Sequence, residues 1–206
     1  MTLDILPLTP ERFGDLERVF AQRGCSQARG CWCMYYRRSG RRVPPPPAGV
    51  PKAQVNHDDF RSLVDAGRFT GVLAYRDGEP VGWLSFGPRE DFAKLRRSTV
   101  MRPVDDQPVW SVVCFVVPKP CRGQGVARAL LHGAIAWAAA RGITLEAYPV
   151  DKPGRVNDEW MWFGAQPMFQ AAGFAEVARR KPERPVVRLH PAAAATAPRA
   201  GRQGAR

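Results

Sequence analysis

Hydrophobic positions are densest in residues 109–150, where they predict a strand, a glycine-rich turn, a helix and a second strand. Residues 109–117 are mostly β-branched or aromatic and almost uncharged, which is typical of a strand covered on both faces. Apolar side chains then recur at helical spacing over residues 126–141, and Gly142 follows where a helix commonly ends. Residues 143–150 return to a strand pattern. The rest of the chain is expected to be built around this unit.

The chain before this unit alternates between strand and helix patterns. Residues 3–5 alternate apolar and polar and predict a first strand, and an apolar stripe over residues 13–20 predicts an amphipathic helix. Asn56 is expected to cap a short helix that ends at Gly67. Between these helices, residues 43–51 are too rich in proline for a helix or an inner strand, so we expect an extended loop.

A hairpin is predicted ahead of the central unit. Residues 69–75 and 80–86 have the composition of strands and are joined through an Asp-Gly pair, which favours a tight turn. Gly82 removes a side chain from the second strand, which indicates that another segment comes close there. After the hairpin, a short helix is predicted around residues 92–95.

The segment after the central unit completes one domain over residues 1–190. Residues 165–174 carry an apolar pattern that ends in Gly-Phe, and residues 175–189 predict two short strands. Residues 191–206 are rich in alanine, proline, glycine and arginine without an apolar face, so we expect a disordered tail.

Length and charge limit the class of protein. A chain of 206 residues can bury a core without disulfides or metals, and no apolar run approaches the roughly 20 residues that span a bilayer, so we expect no membrane partner. The net charge of +12 favours anionic partners. Arginine supplies 26 of the 31 basic residues along the whole chain, without an aromatic-interleaved basic stripe. Nucleic acid is therefore not the expected partner.

The five cysteines favour reduced thiols in the cytoplasm, because their number is odd and the N terminus lacks a basic leader. Cys25, Cys31 and Cys33 lie close together in the sequence. One residue separates the last two, and no further ligand follows until His57, so we expect no metal. Two interpretations remain: thiols buried beside Trp32, or an aromatic wall that faces the substrate.

The turn of the central unit has the features of an anion-binding cradle. Two glycines in residues 122–127, Arg-Gly-Gln-Gly-Val-Ala, let backbone N–H groups point inward at the start of a helix. A dinucleotide-binding fingerprint would need a third small residue where Arg128 stands, and a Walker loop would need Gly-Lys-Ser/Thr. The turn fits neither motif.

Together with the apolar strand before it, the turn resembles the central motif of the GNAT superfamily of acetyl-CoA-dependent N-acyltransferases, (Q/R)-x-x-G-x-(G/A). The resemblance extends from about Leu3 to Leu189 and includes the hairpin with Gly82 and an A-x-x-x-F-x-x-x-G-F segment over residues 165–174. It implies a GNAT-like α/β fold, with a mixed, largely antiparallel sheet of six or seven strands and helices on both faces.

The resemblance also implies where acetyl-CoA, the co-substrate, would bind. Its pyrophosphate is expected on the N–H groups of the turn, where the helix N terminus adds positive partial charge, and Arg122 could add a direct phosphate contact. The strand is expected to offer backbone groups to the pantetheine arm. The predicted cofactor-binding residues are Phe115, Val116, Val117, Arg122, Gly123, Gln124, Gly125, Val126 and Ala127.

Acyl transfer needs a neutral amine, an N–H donor for the developing oxyanion and a proton source for the departing thiolate. We expect direct attack of the amine on the thioester, because Cys114 in an apolar strand is more typical of packing than of an acyl carrier. Glu146 and Tyr148 point to one face of the second strand. They are either a hydrogen-bonded structural pair or the polar lining of a cleft, and Glu146 is the candidate base.

The leaving thiolate also needs a proton donor. The resemblance puts Phe169 where the family often has a tyrosine that protonates the leaving thiolate, and Trp162 where it has an asparagine. Phenylalanine cannot donate a proton. Either Tyr148 or Cys114 replaces the missing phenol, or solvent suffices.

The sequence therefore predicts transfer of an acetyl group from acetyl-CoA to a small-molecule or peptide amine, by a chain that could form a homodimer. The alternative is a catalytically degenerate GNAT module that binds CoA or a partner, as Phe169 and Trp162 would suggest. A basic nucleic-acid-binding protein is the third interpretation. The sequence does not define the acceptor amine.

Overall fold

The computed structural model describes residues 2–38, 46–154 and 161–191. Its seven-stranded sheet has the order β1-β2-β3-β4-β5-β7-β6. All neighbouring strands are antiparallel except β4 and β5, which are parallel. The strands are β1 Asp4–Pro7, β2 Gly71–Arg76, β3 Glu79–Pro88, β4 Trp110–Val116, β5 Leu145–Ala147, β6 Ala175–Lys181 and β7 Arg184–Leu189. The predicted α/β fold with a mixed, largely antiparallel sheet is confirmed.

Helices cover both faces of the sheet. In the described ranges they are α1 Phe13–Ala21, α2 Ser26–Cys31, α3 Met34–Arg37, α4 Lys52–Asp65, α5 Ala93–Arg96, α6 Val126–Ala139 and α7 Gln166–Ala171. Helix α6 packs on β1, β2 and β3. The opposite face is covered by α1, α2 and α4, whose apolar side chains surround Trp83 of β3. None of the helices in the described part of the chain is long and apolar enough to cross a membrane.

The hairpin and the glycine in its second strand are as predicted. Asp77 and Gly78 have φ angles of 49° and 81°, the left-handed conformation that a tight two-residue hairpin turn requires. At Gly82 a Cβ atom would lie 2.6 Å from Cγ1 of Val126. The missing side chain therefore lets the first turn of α6 pack directly on β3.

Two predictions about local structure were wrong. Asn56 does not cap a helix: it lies inside α4, buried, where its side-chain amide donates a 2.7 Å hydrogen bond to the carbonyl oxygen of Gly30. The helix begins instead after Pro51. The second strand of the central unit is also shorter than predicted: β5 covers only Leu145–Ala147. Its pairing with β4 ends at Val112 and Ala147, although β4 continues to Val116.

Two expectations concern residues that are described only in part. The predicted loop over residues 43–51 is described from Pro46, and that part contains neither helix nor strand. The predicted disorder of residues 191–206 lies, from residue 192 onward, outside the described residues.

Candidate active site

A cavity of about 890 Å³ lies along β4, beside the part of the strand that has no partner in β5. The turn before α6 forms one wall, and residues 113–117 of and after β4 form another. Side chains from α2, α3 and the segment that begins at Met161 close the remaining side. The cavity thus joins the predicted anion cradle to the unusual cysteine-rich and aromatic stretch near the N terminus.

The turn leaves open space in front of its backbone. Gly123 and Gly125 have φ angles of 73° and 79°, and a Cβ atom at either position would meet no atom within 4 Å. The residue at the N-cap of the 14-residue helix α6 is Gly125, which has no side chain to accept a hydrogen bond from the first N–H groups of the helix. Of the predicted cradle residues, Gln124 does not line the cavity, because its side chain bonds Arg76 and the carbonyl oxygen of Pro120.

The guanidinium of Arg122 braces the turn. Its Nε donates to the carbonyl oxygen of Val117 at 3.0 Å, and its Nη2 donates to that of Gly24 at 2.9 Å. The side chain therefore ties the end of β4 to the loop after α1. Arg122 also lines the cavity, and its direct contact with a phosphate stays a prediction.

The backbone of β4 is also less free than the sequence indicated. The N–H of Phe115 donates a 2.7 Å hydrogen bond to the carbonyl oxygen of Trp162, and Val116 pairs with Trp83 of β3. The carbonyl of Val117 is taken by Arg122. Phe115, Val116 and Val117 all line the cavity, but each already has a backbone partner within the chain.

Glu146 and Tyr148 form part of a buried network between strands. The Tyr148 hydroxyl donates to one carboxylate oxygen of Glu146 at 2.8 Å, and the guanidinium of Arg188 contacts the other at 2.7 Å. Ser111 of β4 lies 2.9 Å from the Tyr148 hydroxyl. Burial, followed by the charge of Glu146, raises the pKa of Tyr148 well above its usual range.

This geometry favours the structural interpretation of the pair. In the described residues, neither Glu146 nor Tyr148 lines the cavity, and both are fully buried. Ser111, Glu146 and Arg188 face one another across three neighbouring strands, β4, β5 and β7. The carboxylate is therefore fixed by an arginine and a phenol, as in a hydrogen-bonded structural pair.

Cysteine side chains are prominent in the wall of the cavity, and Cys31, Cys33 and Cys114 lie together there. Cys33 is 6% exposed, and its sulfur accepts a 3.3 Å hydrogen bond from the indole N–H of Trp83. Within residues 2–38, 46–154 and 161–191, no group of three or more cysteine, histidine or acidic side chains is arranged to hold a metal ion. Cys25 and Cys33 are buried in the cluster that contains Trp32, as one interpretation of the sequence predicted.

Aromatic side chains of the same stretch also form part of the cavity wall. Tyr35 and Tyr36 line the cavity beside Trp162, and Tyr35 is 55% exposed. Burial raises the pKa of Tyr36 to about 12, although a hydrogen bond with the Trp162 side chain acts to lower this pKa. The dense Cys-Trp-Cys-Met-Tyr-Tyr sequence was the only signal of this wall, and its position opposite β4 depends on the packing of α2 and α3.

The comparison with known sequences decides the family. The profile described as "Acetyltransferase (GNAT) family" matches residues 34–155, which is more than half of the chain. The chain belongs to the GNAT family. No curated protein matches the sequence.

Solved structures of acetyltransferases share the fold at low identity. An acetyltransferase from Thermus thermophilus is 22% identical, with a TM-score of 0.50, over 92% of this chain and 97% of that one. "Histone acetyltransferase HPA2 and related acetyltransferase" from Corynebacterium glutamicum is 17% identical, with a TM-score of 0.53 over 95% and 99% of the two chains. A GNAT acetyltransferase from Streptococcus agalactiae is 11% identical, with a TM-score of 0.54 over 91% and 95%.

Phe169 lies in the core of the protein. Its ring is completely buried and packs against Phe115 and Phe174, with ring centroids 6.1 and 5.1 Å away. The neighbouring Met168 lines the cavity instead. The position that the sequence matched to a catalytic tyrosine is thus occupied by a core side chain without a hydroxyl group.

Proposed function

We propose that this GNAT protein transfers an acetyl group from acetyl-CoA to an amine, by direct attack of the amine on the thioester. The observation that carries the proposal is the continuous cavity between the turn of residues 122–127 and the thiol and aromatic wall. One space therefore borders both the expected phosphate site and the expected acceptor wall.

The residues of the turn fit the phosphates of acetyl-CoA. The left-handed glycines Gly123 and Gly125 keep the space in front of the backbone empty, and the uncapped N terminus of α6 supplies N–H donors and positive partial charge. Gly123, Gly125, Val126 and Ala127 would hold the phosphates through their backbone. Arg122 would stabilise the turn rather than the ligand, because it bonds two carbonyl oxygens.

The opposite wall suits an amine with an apolar body. Tyr35, Tyr36, Trp162 and Met161 supply aromatic and thioether surface there, and this chemistry fits a small molecule or a peptide side chain. All five cysteines are free thiols, in agreement with the proposed cytoplasmic location.

Acetyl-CoA would supply the activated acyl group, and the chain would position it and exclude water. The buried apolar side chains of β4 lower the local dielectric, which strengthens every hydrogen bond made inside the cavity. The Phe115 N–H is a backbone donor at the cavity wall, and it would become available to an acyl oxygen only when the Trp162 carbonyl moves away.

Release of free thiol from acetyl-CoA, measured across a panel of small-molecule and peptide amines, tests the proposal. Amine-dependent release that saturates with both substrates is expected, with product mass increased by one acetyl group. Reactions without amine and without protein are the controls. Absence of amine-dependent release, with intact acetyl-CoA binding, would contradict the proposal.

One alternative has specific support. Phe169 lacks the hydroxyl group, and the Phe115 N–H is occupied by the chain itself, as expected for a GNAT module that binds CoA without turnover. Such a module would bind CoA and acetyl-CoA with equal affinity and show no product with any amine. Salt-sensitive binding to duplex DNA would instead support the third interpretation, a nucleic-acid-binding protein.

A further inference from the structure

Cys33 and Cys114 are far apart in the sequence and meet in the cavity wall. Cys114 projects from β4, and Cys33 lies between α2 and α3, in the cluster that covers the same face of the sheet. Cys114 packs against the cluster of buried side chains that contains Cys33. Both line the cavity, as does Phe115.

The surroundings of Cys33 favour negative charge on its sulfur. The Trp83 indole N–H donates to the sulfur at 3.3 Å, and the charge of Arg37 acts on it from the next helix. Two guanidinium nitrogens of Arg37, Nε and Nη2, are buried without a hydrogen-bond partner in the described residues. Arg37 is otherwise balanced by Asp91 at 3.3 Å. A buried cation that is only partly paired stabilises a nearby anion.

The backbone at this point is in a conformation that non-glycine residues seldom adopt. Trp32 and Cys33 have φ angles of 48° and 53°. These consecutive left-handed residues turn the chain so that the Cys33 sulfur lies beside Trp83 and Cys114. Strain of this kind persists where the surrounding structure requires it, and it is common at functional sites.

Each of the two thiols affects the ionisation of the other. The hydrogen bond from Cys114, ahead of those from Trp83 and the charge of Arg37, lowers the pKa of Cys33 against the effect of burial. The same hydrogen bond, with burial, raises the pKa of Cys114 well above its usual range. Ionisation of Cys33 is therefore favoured over ionisation of Cys114, and loss of both protons is disfavoured.

We propose that Cys33 and Cys114 form a two-thiol proton relay for acyl transfer, in place of the phenol that is missing at Phe169. This inference rests on the proposed function and deepens it. Cys33 accepts the proton that the amine loses as the bond between nitrogen and the carbonyl carbon forms. The neutral pair then gives up the Cys114 proton to the sulfur released when the thioester carbon–sulfur bond breaks. The proton on Cys33 moves across the thiol pair to Cys114, and the starting monoanion returns.

These proton transfers balance, and they use only the neutral pair and the monoanion. The amine loses one proton, coenzyme A gains one, and the pair ends as it began. The pair never becomes a dianion, because it accepts a proton before it donates one. A separate solvent proton is not needed, which suits a site lined by buried apolar side chains of β4.

The titration of the pair also depends on the other groups that face it. Cys31 lies beside both sulfurs, and burial raises its pKa, as does the negative charge of Cys33. Arg37 with Asp91 faces Cys33, and the Tyr36 hydroxyl lies on the side of Cys114. Among these neighbours, only Arg37 carries a positive charge that favours the monoanion.

The first test measures the thiols without any substrate. Alkylation by iodoacetamide is followed against pH, with peptide mass mapping at Cys33 and Cys114. Cys33 is expected to react at a pH below the ordinary cysteine range of about 8.5. Cys114→Ala removes the main cause of the lowered pKa of Cys33, so the Cys33 profile should move to higher pH. Cys25→Ala is the control, because Cys25 is a buried thiol whose charged neighbours are Arg122 and Arg29, and it should leave the profile unchanged.

The second test measures turnover in the same samples. Cys33→Ser and Cys114→Ala should each lower kcat by about 10²- to 10⁴-fold, the usual size of general acid–base catalysis, while acetyl-CoA affinity is kept. The double variant Cys33→Ser/Cys114→Ala should be no slower than the worse single variant, since the thiols act as one unit. Cys114→Ser retains a hydrogen-bond donor and tests whether loss of folding explains the alanine result.

Four results would overturn the relay. An ordinary alkylation profile at Cys33, or one that Cys114→Ala does not move, rejects the coupling of the two thiols. Unchanged kcat in folded thiol variants, with normal wild-type turnover, rejects the relay and leaves the proposed function intact. An acetyl group trapped on Cys33 shows covalent transfer instead. Absence of turnover in the wild type rejects the proposed function and the relay together.

Discussion

The backbone N–H of Phe115 donates a 2.7 Å hydrogen bond to the carbonyl oxygen of Trp162. This bond continues the pairing of β4 beyond the end of β5, and it puts the Trp162 side chain in the cavity wall. The contact is made by the main chain, so the identity of the side chain can be changed without removing it. Residue 162 can therefore be used to test the acceptor side of the cavity separately from the fold.

Trp162→Phe should change acceptor binding and spare acetyl-CoA binding. The indole hydrogen bond to Tyr36 opposes the effect of burial, so its loss should raise the pKa of Tyr36 further. We expect a higher KM for the amine by several-fold, as for loss of one hydrogen bond of about 1 kcal/mol, with a melting temperature close to that of the wild type. Steady-state kinetics with each substrate varied in turn measures this. An effect confined to acetyl-CoA would contradict the placement of Trp162 on the acceptor side.

Gly125→Val should weaken acetyl-CoA binding at least about tenfold, which corresponds to about 1.4 kcal/mol. The φ angle of 79° is unfavourable for a β-branched residue, and the side chain would fill the open space in front of the turn. Titration calorimetry with acetyl-CoA measures the loss.

The matched control for this change is Gly142→Val. Gly142 has a φ angle of 66° just after the other end of α6, and its Cβ would also meet no atom within 4 Å. Similar destabilisation of both variants, with acetyl-CoA affinity lost only in Gly125→Val, is the expected pattern. Equal affinity in the two variants would remove the turn from the cofactor site.

Glu146→Gln should destabilise the protein by about 1–3 kcal/mol and leave kcat of the folded protein near normal. Glu146 is fully buried and is held by Arg188 and Tyr148, away from the cavity. Tyr148→Phe removes one hydroxyl from the same network, and it should likewise lower stability and leave kcat near normal. Urea unfolding and kcat, measured on the same samples, separate stability from turnover.

A control for this network is Glu176→Gln. Glu176 pairs with Arg179 at the surface, where an ion pair contributes about 1 kcal/mol or less. A fall in kcat of about 10²- to 10⁴-fold in Glu146→Gln, without loss of stability, would instead restore Glu146 as the general base.

Stability should fall in acid through the pair of Asp105 and Arg188. Hydrogen bonds from Arg188 lower the pKa of Asp105 to about 2, from an unfolded value of about 3.9. A lowered folded pKa contributes stability above the unfolded pKa, and this contribution is lost as the pH falls from about 4 to about 2.

Asp105→Asn isolates that contribution. The difference in unfolding free energy between wild type and variant should be largest above about pH 4 and should vanish toward about pH 2. Chemical denaturation at several pH values measures it. If the difference in unfolding free energy instead grew as the pH fell, the predicted direction of the pH dependence would be wrong.

We expect Cys25, Cys31 and Cys33 to hold no metal. Their spacing lacks a fourth ligand, and the described residues do not form a cluster suited to a metal ion. Elemental analysis of protein purified without added metal checks this. Stoichiometric zinc that disappears in Cys31→Ser/Cys33→Ser would contradict it.

The local sequence was sufficient wherever neighbouring residues decide the conformation. The Asp-Gly pair set the hairpin at Asp77 and Gly78, the apolar repeat set α6, and the glycines before α6 set the left-handed turn. The family motif lies in this same short segment. The prediction that Asn56 caps a helix was wrong. The helix starts four residues earlier, and the side-chain amide of Asn56 donates a hydrogen bond to another helix.

Only the tertiary structure decided which side chains share a site. Alternation along β5 placed Glu146 and Tyr148 on one face, but the pairing of β5 with β7 brought Arg188 to that face and made the network structural. Cys33 and Cys114 belong to segments with no local relation, and packing of α2 and α3 on the sheet brought their sulfurs together. Long-range contacts of this kind depend on how strands pair and helices dock, which periodicity within a single segment does not contain.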